Sequence, residues 1–481
     1  MSIPVRAAAL LLVAIMVASP LALVAAADVY PENVQGEVIK IGMTISLTGK
    51  FSVEGHQALC GVKAVIKWYN DQGGIKLGDK TYKLQLIYYD DQSSKDQVAS
   101  LYTKLITDDK VDFLLAPYSS GLTLAALPVA EQNKKLILSH GGASDTIVSQ
   151  GYYYIVQVLT PASRYMESAV ELIKNEIPDA KVALIFENAP FAQAVKKGAK
   201  AKLEEYGIPI VYEADYEKGT SDFSSFIREA KQKGANVLLG GGHYADGKAL
   251  VSQAHEYQWS LKFLAILVAP AQKKFYDELG EQVVNGVAYP SQWSPHAKFT
   301  PQAAKDEGIP FAGPTIDEYL QYFKQVCPDL EAPAYQSAEA GAAIVYLVEA
   351  IKHAYEKYGE QAIHDSAKVR EAFNDLHIMT FFGPLKIDPQ TGKQIAHPML
   401  LMQWQGNSQV IIYPPKYAEK KPLLAPANWQ FAGGETTTTT AAGGGAAETT
   451  TGGGGGSATI AAAIVIIIII IAAAALLARK K

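Results

Sequence analysis

The stretch Gly242-His-Tyr-Ala-Asp-Gly-Lys248-Ala249 comes near a phosphate-binding loop, in which backbone N–H groups and a lysine hold phosphates and a final Ser or Thr holds magnesium. Ala249 has no oxygen to offer, so the loop lacks its metal ligand. His255-Glu256 has no second histidine one turn on, which removes zinc-protease chemistry. His140, His243 and His296 are scattered, and neither a Gly-x-Ser-x-Gly elbow nor a nucleophilic cysteine context is present. No enzymatic activity, cofactor or metal is therefore expected. Cys60 and Cys327 form no CxxC pair, which leaves a disulfide in an oxidising compartment or two isolated buried thiols. With a net charge of −5 and 19% charged residues the chain has no basic field, so nucleic acid is not an expected partner.

The elements that must position any site alternate in type. A strand at 39–46, a helix at 55–70, strands at 84–89, 111–116 and 136–139, and helices at 97–106 and 122–132 make a βαβ series. In the first helix Leu59, Val62, Val65, Ile66 and Tyr69 recur at three- and four-residue steps, as one buried face requires. The alternation restarts after Pro161, with strands at 181–186, 210–214, 237–240 and 263–267 between helices. Right-handed crossovers turn each series into a parallel sheet covered by helices, and 481 residues exceed one ordinary core, so two α/β lobes are expected. A later helical block, 319–326, 338–358 and 369–376, has too few strands for a third lobe and is assigned to the first. Open α/β sheets bind ligands at strand C-terminal ends, which places the loops of facing lobes in one cleft.

The chain ends carry topological signals. Arg6, an apolar run over 7–26 and the small-residue exit Ala25-Ala26-Ala27 describe a secretory signal peptide over 1–27. Residues 458–478 are uncharged and apolar, long enough at about 1.5 Å per residue to cross a roughly 30 Å hydrocarbon core. Arg479-Lys480-Lys481 follow as a cytoplasmic tail, which puts the large domain outside the cell. The segment 421–457, almost wholly Thr, Gly and Ala beyond 433, reads as a tether. The expected protein is a single-pass membrane protein, anchored in the lipid bilayer through its C-terminal helix.

Gly49-Lys-Phe-Ser-Val-Glu-Gly-His-Gln-Ala-Leu-Cys-Gly, Trp68-Tyr-Asn-Asp-Gln-Gly-Gly-Ile75, Tyr89-Asp-Asp91 and Pro117-Tyr-Ser-Ser120 occur in this order. Together, over about residues 37–413, they resemble the branched-chain amino acid group of ABC-transporter binding proteins. The resemblance implies a type I periplasmic-binding fold: two Rossmann-like lobes, three hinge crossovers, and closure on a small ligand. On that fold the first lobe takes 28–160 and 291–382 and the second 161–290 and 383–420. The family's cleft positions fall on Glu54, Ser119, Ser120 and Gly141-Gly142-Ala143-Ser144 in the first lobe and on Phe191, His243 and Tyr244 in the second. Ser hydroxyls and N–H groups at a helix start suit a carboxylate or amide oxygen, although Ser119 and Ser120 as mere helix caps stay open. Amino-acid binders of the group carry a second-lobe acid for the ligand ammonium; here that loop reads Leu267-Val-Ala-Pro270. Glu54 is either the substitute charge in a dry cleft or a solvated loop residue, and Trp293 either walls the cleft or packs a lobe.

The implied function is the extracellular solute-binding component of an ABC importer. It takes an amino acid, amide or similar small polar solute, acts as a monomer and hands the solute to ABC permease subunits in the membrane. The alternative is the sensing ectodomain of a receptor, which the three-residue tail disfavours. The tethered arrangement resembles binding proteins of archaea.

Overall fold

The computed structural model describes residues 27–431; the signal peptide and membrane-helix expectations lie outside them. No helix of the described residues is long and apolar enough to cross a membrane. The chain opens with β1 (Asp28–Tyr30), β2 (Glu37–Ile45), α1 (Ser52–Asp71), β3 (Ile75–Leu77), β4 (Lys80–Asp90) and α2 (Lys95–Thr107). β5 (Phe113–Leu115), α3 (Ser120–Gln132), β6 (Ile137–Ser139) and β7 (Ile155–Gln157) complete a sheet of order β1-β4-β2-β5-β6-β7, with β3 on β4. β2 is central and parallel to both neighbours, Ile41 facing Leu86 and Phe113. The second lobe holds α4 (Glu167–Glu176), β8 (Val182–Glu187), α5 (Pro190–Glu205), β9 (Ile210–Tyr216), α6 (Ser224–Gln232), β10 (Val237–Gly241) and α7 (Tyr244–Glu256). β11 (Phe263–Ile266), α8 (Lys273–Leu279), α9 (Glu281–Val284) and β12 (Ala288–Ser291) follow.

The chain then returns to the first lobe through α10 (Pro301–Glu307), α11 (Ile316–Val326), α12 (Tyr335–Tyr358), α13 (Ser366–Ala372) and the hairpin β13 (Ile378–Thr380)–β14 (Gly383–Leu385). It crosses a third time to add β15 (Leu400–Gln405) and β16 (Ser408–Tyr413), giving the order β16-β15-β12-β11-β10-β8-β9. This is the two-lobed α/β architecture with three crossovers. α12 is apolar on nearly every side, so it is buried in the middle of the first lobe rather than lying on it. It packs along α1, and Gly61 permits the approach: a Cβ there would lie 1.8 Å from the Ser337 carbonyl oxygen. Cys60 of α1 and Cys327 at the end of α11 form a disulfide, which settles the alternative left open by their spacing.

Two boundaries differ from expectation. β14 pairs with β13 and therefore belongs with the first lobe, so the return begins after residue 385 rather than at 383. Residues 421–431 are no tether: Trp429 is fully buried, its ring edge-on to His255, and Gln430 Nε2 donates to the Leu261 carbonyl at 2.9 Å. An indole buries too much apolar surface to be left in water.

Candidate functional site

The loops at the C-terminal ends of β2, β4 and β5 in one lobe, and of β8, β9 and β10 in the other, enclose a cavity of about 160 Å³. Ser119, Ser120, Phe191 and His243 line it, and so do Lys50, Phe51, Lys95, Glu187 and Lys218. Gly49, at φ +82°, makes the turn after β2 and leads into Lys50 and Phe51. The Phe51 N–H donates to Ser93 Oγ at 3.1 Å, and its ring stands 4.6 Å from the His243 ring and 5.9 Å from that of Tyr118. Phe191, in the first turn of α5, closes on the other side of His243 at 5.7 Å.

Ser119 sits at φ +81°, a conformation that costs a non-glycine residue about 1–3 kcal/mol and is held only where the surroundings impose it. It caps α3, its Oγ accepting the Leu122 N–H at 3.3 Å, while Ser120 Oγ accepts the Ser144 N–H at 2.9 Å. Both serines are buried. Gly141, Gly142, Ala143 and Ser144 line no part of the cavity. They brace the serine loop instead: a Cβ on Gly141 would meet Tyr118 at 2.8 Å, and the Gly141 carbonyl accepts the Ser119 N–H.

Glu54 lies in the first turn of α1, which begins a turn earlier than its apolar periodicity predicts, and it is completely buried. The solvated-loop reading is thereby removed. Its Oε1 accepts the Tyr244 N–H of the other lobe at 3.0 Å, and its Oε2 has no partner. Burial pushes the carboxyl up to about 7, against the lowering effect of its backbone hydrogen bonds. His243 Nδ1 lies 3.8 Å from Glu54 Oε1, but burial, helped by Lys50 and Lys218, holds the imidazole well below its usual range. The pair is thus not an ion pair. Lys50 reaches across the cleft to Glu187, with Asp246 Oδ1 at 3.9 Å. Burial raises the Glu187 carboxyl, an effect the lysine opposes.

Tyr244 contributes only its N–H; its hydroxyl donates to Glu278 Oε2 at 2.7 Å, away from the cavity. Trp293 does not wall the cavity either. Its indole N–H donates to the Phe381 carbonyl at 3.0 Å and its ring stands edge-on to Tyr319. A buried indole usually finds an acceptor, and the turn between β13 and β14 supplies it. Lys248 pairs with Glu278, so the near phosphate loop presents no lysine to the cleft. The second-lobe loop Leu267–Pro270 is wholly buried and carries no acid. It makes a tight turn at Val268 (φ 58°, ψ −58°), with the Ala269 N–H on the Leu267 carbonyl at 2.6 Å.

A family model described as periplasmic binding protein matches residues 38–409, more than three quarters of the chain. The chain belongs to the periplasmic binding protein family. Within it, a Leu/Ile/Val-binding protein homolog 1 of Brucella abortus is 30% identical over 47% of this chain. The matched part spans 60% of that relative's own length. Homolog 7 of the same organism is 24% identical over 78% of this chain and 91% of its own. Two solved structures superpose at TM-score 0.65 and 18% identity. One is a branched-chain amino acid transporter substrate-binding protein of Streptococcus pneumoniae with isoleucine, covering 79% of this chain and 100% of its own. The other is an ABC-transporter solute-binding protein of R. palustris with 4-hydroxybenzoate, covering 81% and 98%. These likenesses carry the type I periplasmic-binding fold to this family member.

Lys50, Phe51, Lys95, Glu187 and Lys218 line the cleft without having been singled out as site residues. Lys50 and Phe51 follow the Gly49 turn and were legible as first-loop residues; Lys95, Glu187 and Lys218 gave no local signal.

Proposed function

We propose that this chain is the solute-binding component of an ABC importer, working outside the cell. It captures an amino acid, amide or similar small polar solute between its lobes and presents the closed form to a membrane permease. The observation that carries this reading is the shared cavity, where loops from strand ends of both lobes meet. The names of the relatives support it, and the Cys60–Cys327 disulfide suits an oxidising exterior. In this proposal residues 1–27 direct export, a Thr/Gly-rich tether leads from the body, and 458–478 anchor the monomer in the bilayer with 479–481 inside.

A thermal-shift screen of the full chain against amino acids, amides, polyamines, sugars and aromatic acids tests the reading. A solute at a hundred times its dissociation constant adds about 2.7 kcal/mol of stability, a readily measured rise in melting temperature. No shift from any class ends the proposal.

A further inference from the structure

Outside the cavity the lobes also meet through two amides. Gln272, which precedes α8 in the second lobe, donates from Nε2 to Oε1 of Gln336 in the first turn of α12 at 3.0 Å. The two residues are 2% and 0% exposed, so the bond is cut off from water. Gln336 Nε2 has no partner, which leaves this as the one hydrogen bond its side chain makes among the described residues. A buried amide costs free energy unless it is bonded, whereas a hydrated one does not. Each glutamine therefore depends on the other while the lobes are closed, and water serves both once the lobes part.

The first-lobe partner is carried on a braced segment. Residues 327–335 lead from the end of α11 into α12, and Gln57 of α1 grips them twice: its Nε2 donates to the Ala332 carbonyl at 3.1 Å and its Oε1 accepts the Ala334 N–H at 3.0 Å. One turn further along α1, Cys60 is bonded to Cys327 at the far end of the same segment. Glu331 of this segment lies 3.8 Å from Lys273, beside Gln272, but that ion pair is open to solvent and adds little. The buried amide pair is the stronger tie.

We propose that Gln272 and Gln336 are positioning residues that lock the lobes in the closed form, and that the Cys60–Cys327 disulfide holds the segment that presents the lock. This deepens the solute-binding reading and rests on it for its purpose, since a lock on closure slows the release of a captured solute. Its test requires no solute.

The Tyr244 N–H donates across the lobes to Glu54, so its hydrogen–deuterium exchange reports opening, while the amides of β2 report unfolding of the first lobe. In the full chain, Gln336→Leu and Gln272→Leu each strand the other amide in the closed form. Each should speed Tyr244 exchange roughly tenfold and leave β2 unchanged. The double variant replaces both amides by apolar groups, and its exchange should return close to that of the parent. Cys60→Ser with Cys327→Ser should speed Tyr244 exchange severalfold more than it speeds β2, which separates a loosened lock from a general loss of stability. Tyr244 exchange that stays at the parent value in the single variants, or rises only in step with β2, overturns the lock. A double variant as open as the singles also overturns it, because the amides then do not act as a pair. Equal acceleration of Tyr244 and β2 in the disulfide variant removes the disulfide's part. A silent solute screen beside an intact lock ends the solute-binding reading alone; a positive screen beside unchanged exchange ends the lock alone.

Discussion

Glu54 shows how one side chain can be placed by three constraints at once. It sits in the first turn of a helix, where negative charge is favoured, it accepts a hydrogen bond from the opposite lobe, and it is cut off from water. Burial dominates, raising the carboxyl to about 7 in the folded chain from an ordinary value of 4.5. The folded state therefore holds a proton that the unfolded chain has lost across that interval, and Glu54's contribution to stability falls as pH rises from about 4.5 to about 7. Glu54→Gln keeps the acceptor for Tyr244 and removes the titration. It is expected to gain on the order of 1–3 kcal/mol over the parent between pH 5 and pH 8, read from urea unfolding at each pH. An identical parent–variant difference at both pH values would show that the group does not titrate in this range. At Ser119 the positive φ tells the same story of a residue held by its surroundings, here on a loop that lines the cavity.

At the scale of elements, the first lobe is organised by the contact of α1 with α12 and pinned by Cys60–Cys327, which closes a sequence separation of 267 residues. A cross-link over so long a loop constrains the unfolded chain, and its removal by Cys60→Ser should cost about 2–4 kcal/mol, seen as a lower melting temperature. The parent treated with a reductant should melt with the variant. The second lobe depends on the arm 421–431, whose Trp429 is buried beside His255 while Asn428 Nδ2 donates to the Gln282 carbonyl at 2.8 Å. Trp429→Ala should destabilise by about 3–5 kcal/mol. A chain cut after residue 420 should be weakened at least as much; an unchanged urea midpoint would mean that the arm is dispensable.

Across the whole molecule the lobes are joined by three crossovers that are hydrogen-bonded to one another. Gln292 Oε1 accepts the Thr160 N–H at 2.6 Å, and the Thr160 hydroxyl donates to the His397 carbonyl at 3.1 Å, so one residue from each crossover shares a node. Gln292 Nε2 also donates to the buried Glu339 of α12 at 3.2 Å. Away from this node the lobes meet through Lys50–Glu187, Glu54–Tyr244 and the Phe51, His243 and Phe191 rings. Lys50→Ala removes the cation and leaves Glu187 buried without it. The expected outcome is a larger radius of gyration in small-angle scattering without solute, because the lobes separate to hydrate the acid. Unchanged scattering would mean that the ring contacts and the Tyr244–Glu54 and Gln272–Gln336 hydrogen bonds hold the lobes together without the lysine.

The two α/β series, their strand order in time and the helix faces were legible because period-two and period-3.6 patterns are local, and the hinge fold followed from an ordered set of motifs. Local pattern marked the strand-to-helix loops where α/β sheets bind ligands, and the family resemblance placed Ser119, Ser120, Phe191 and His243 on them. What it left undecided depends on segments far apart in the chain. Gly141 to Ser144 brace the serines rather than face the cavity, Trp293 turns to a carbonyl of the β13–β14 turn, Cys60 finds Cys327, and Trp429 draws the start of an expected tether into a core. A side chain's type and spacing determine the element it joins. Which neighbour desolvates it or takes its proton is decided only when remote strands and helices pack, and burial of Glu54 under the other lobe is the case on which this cleft's chemistry depends.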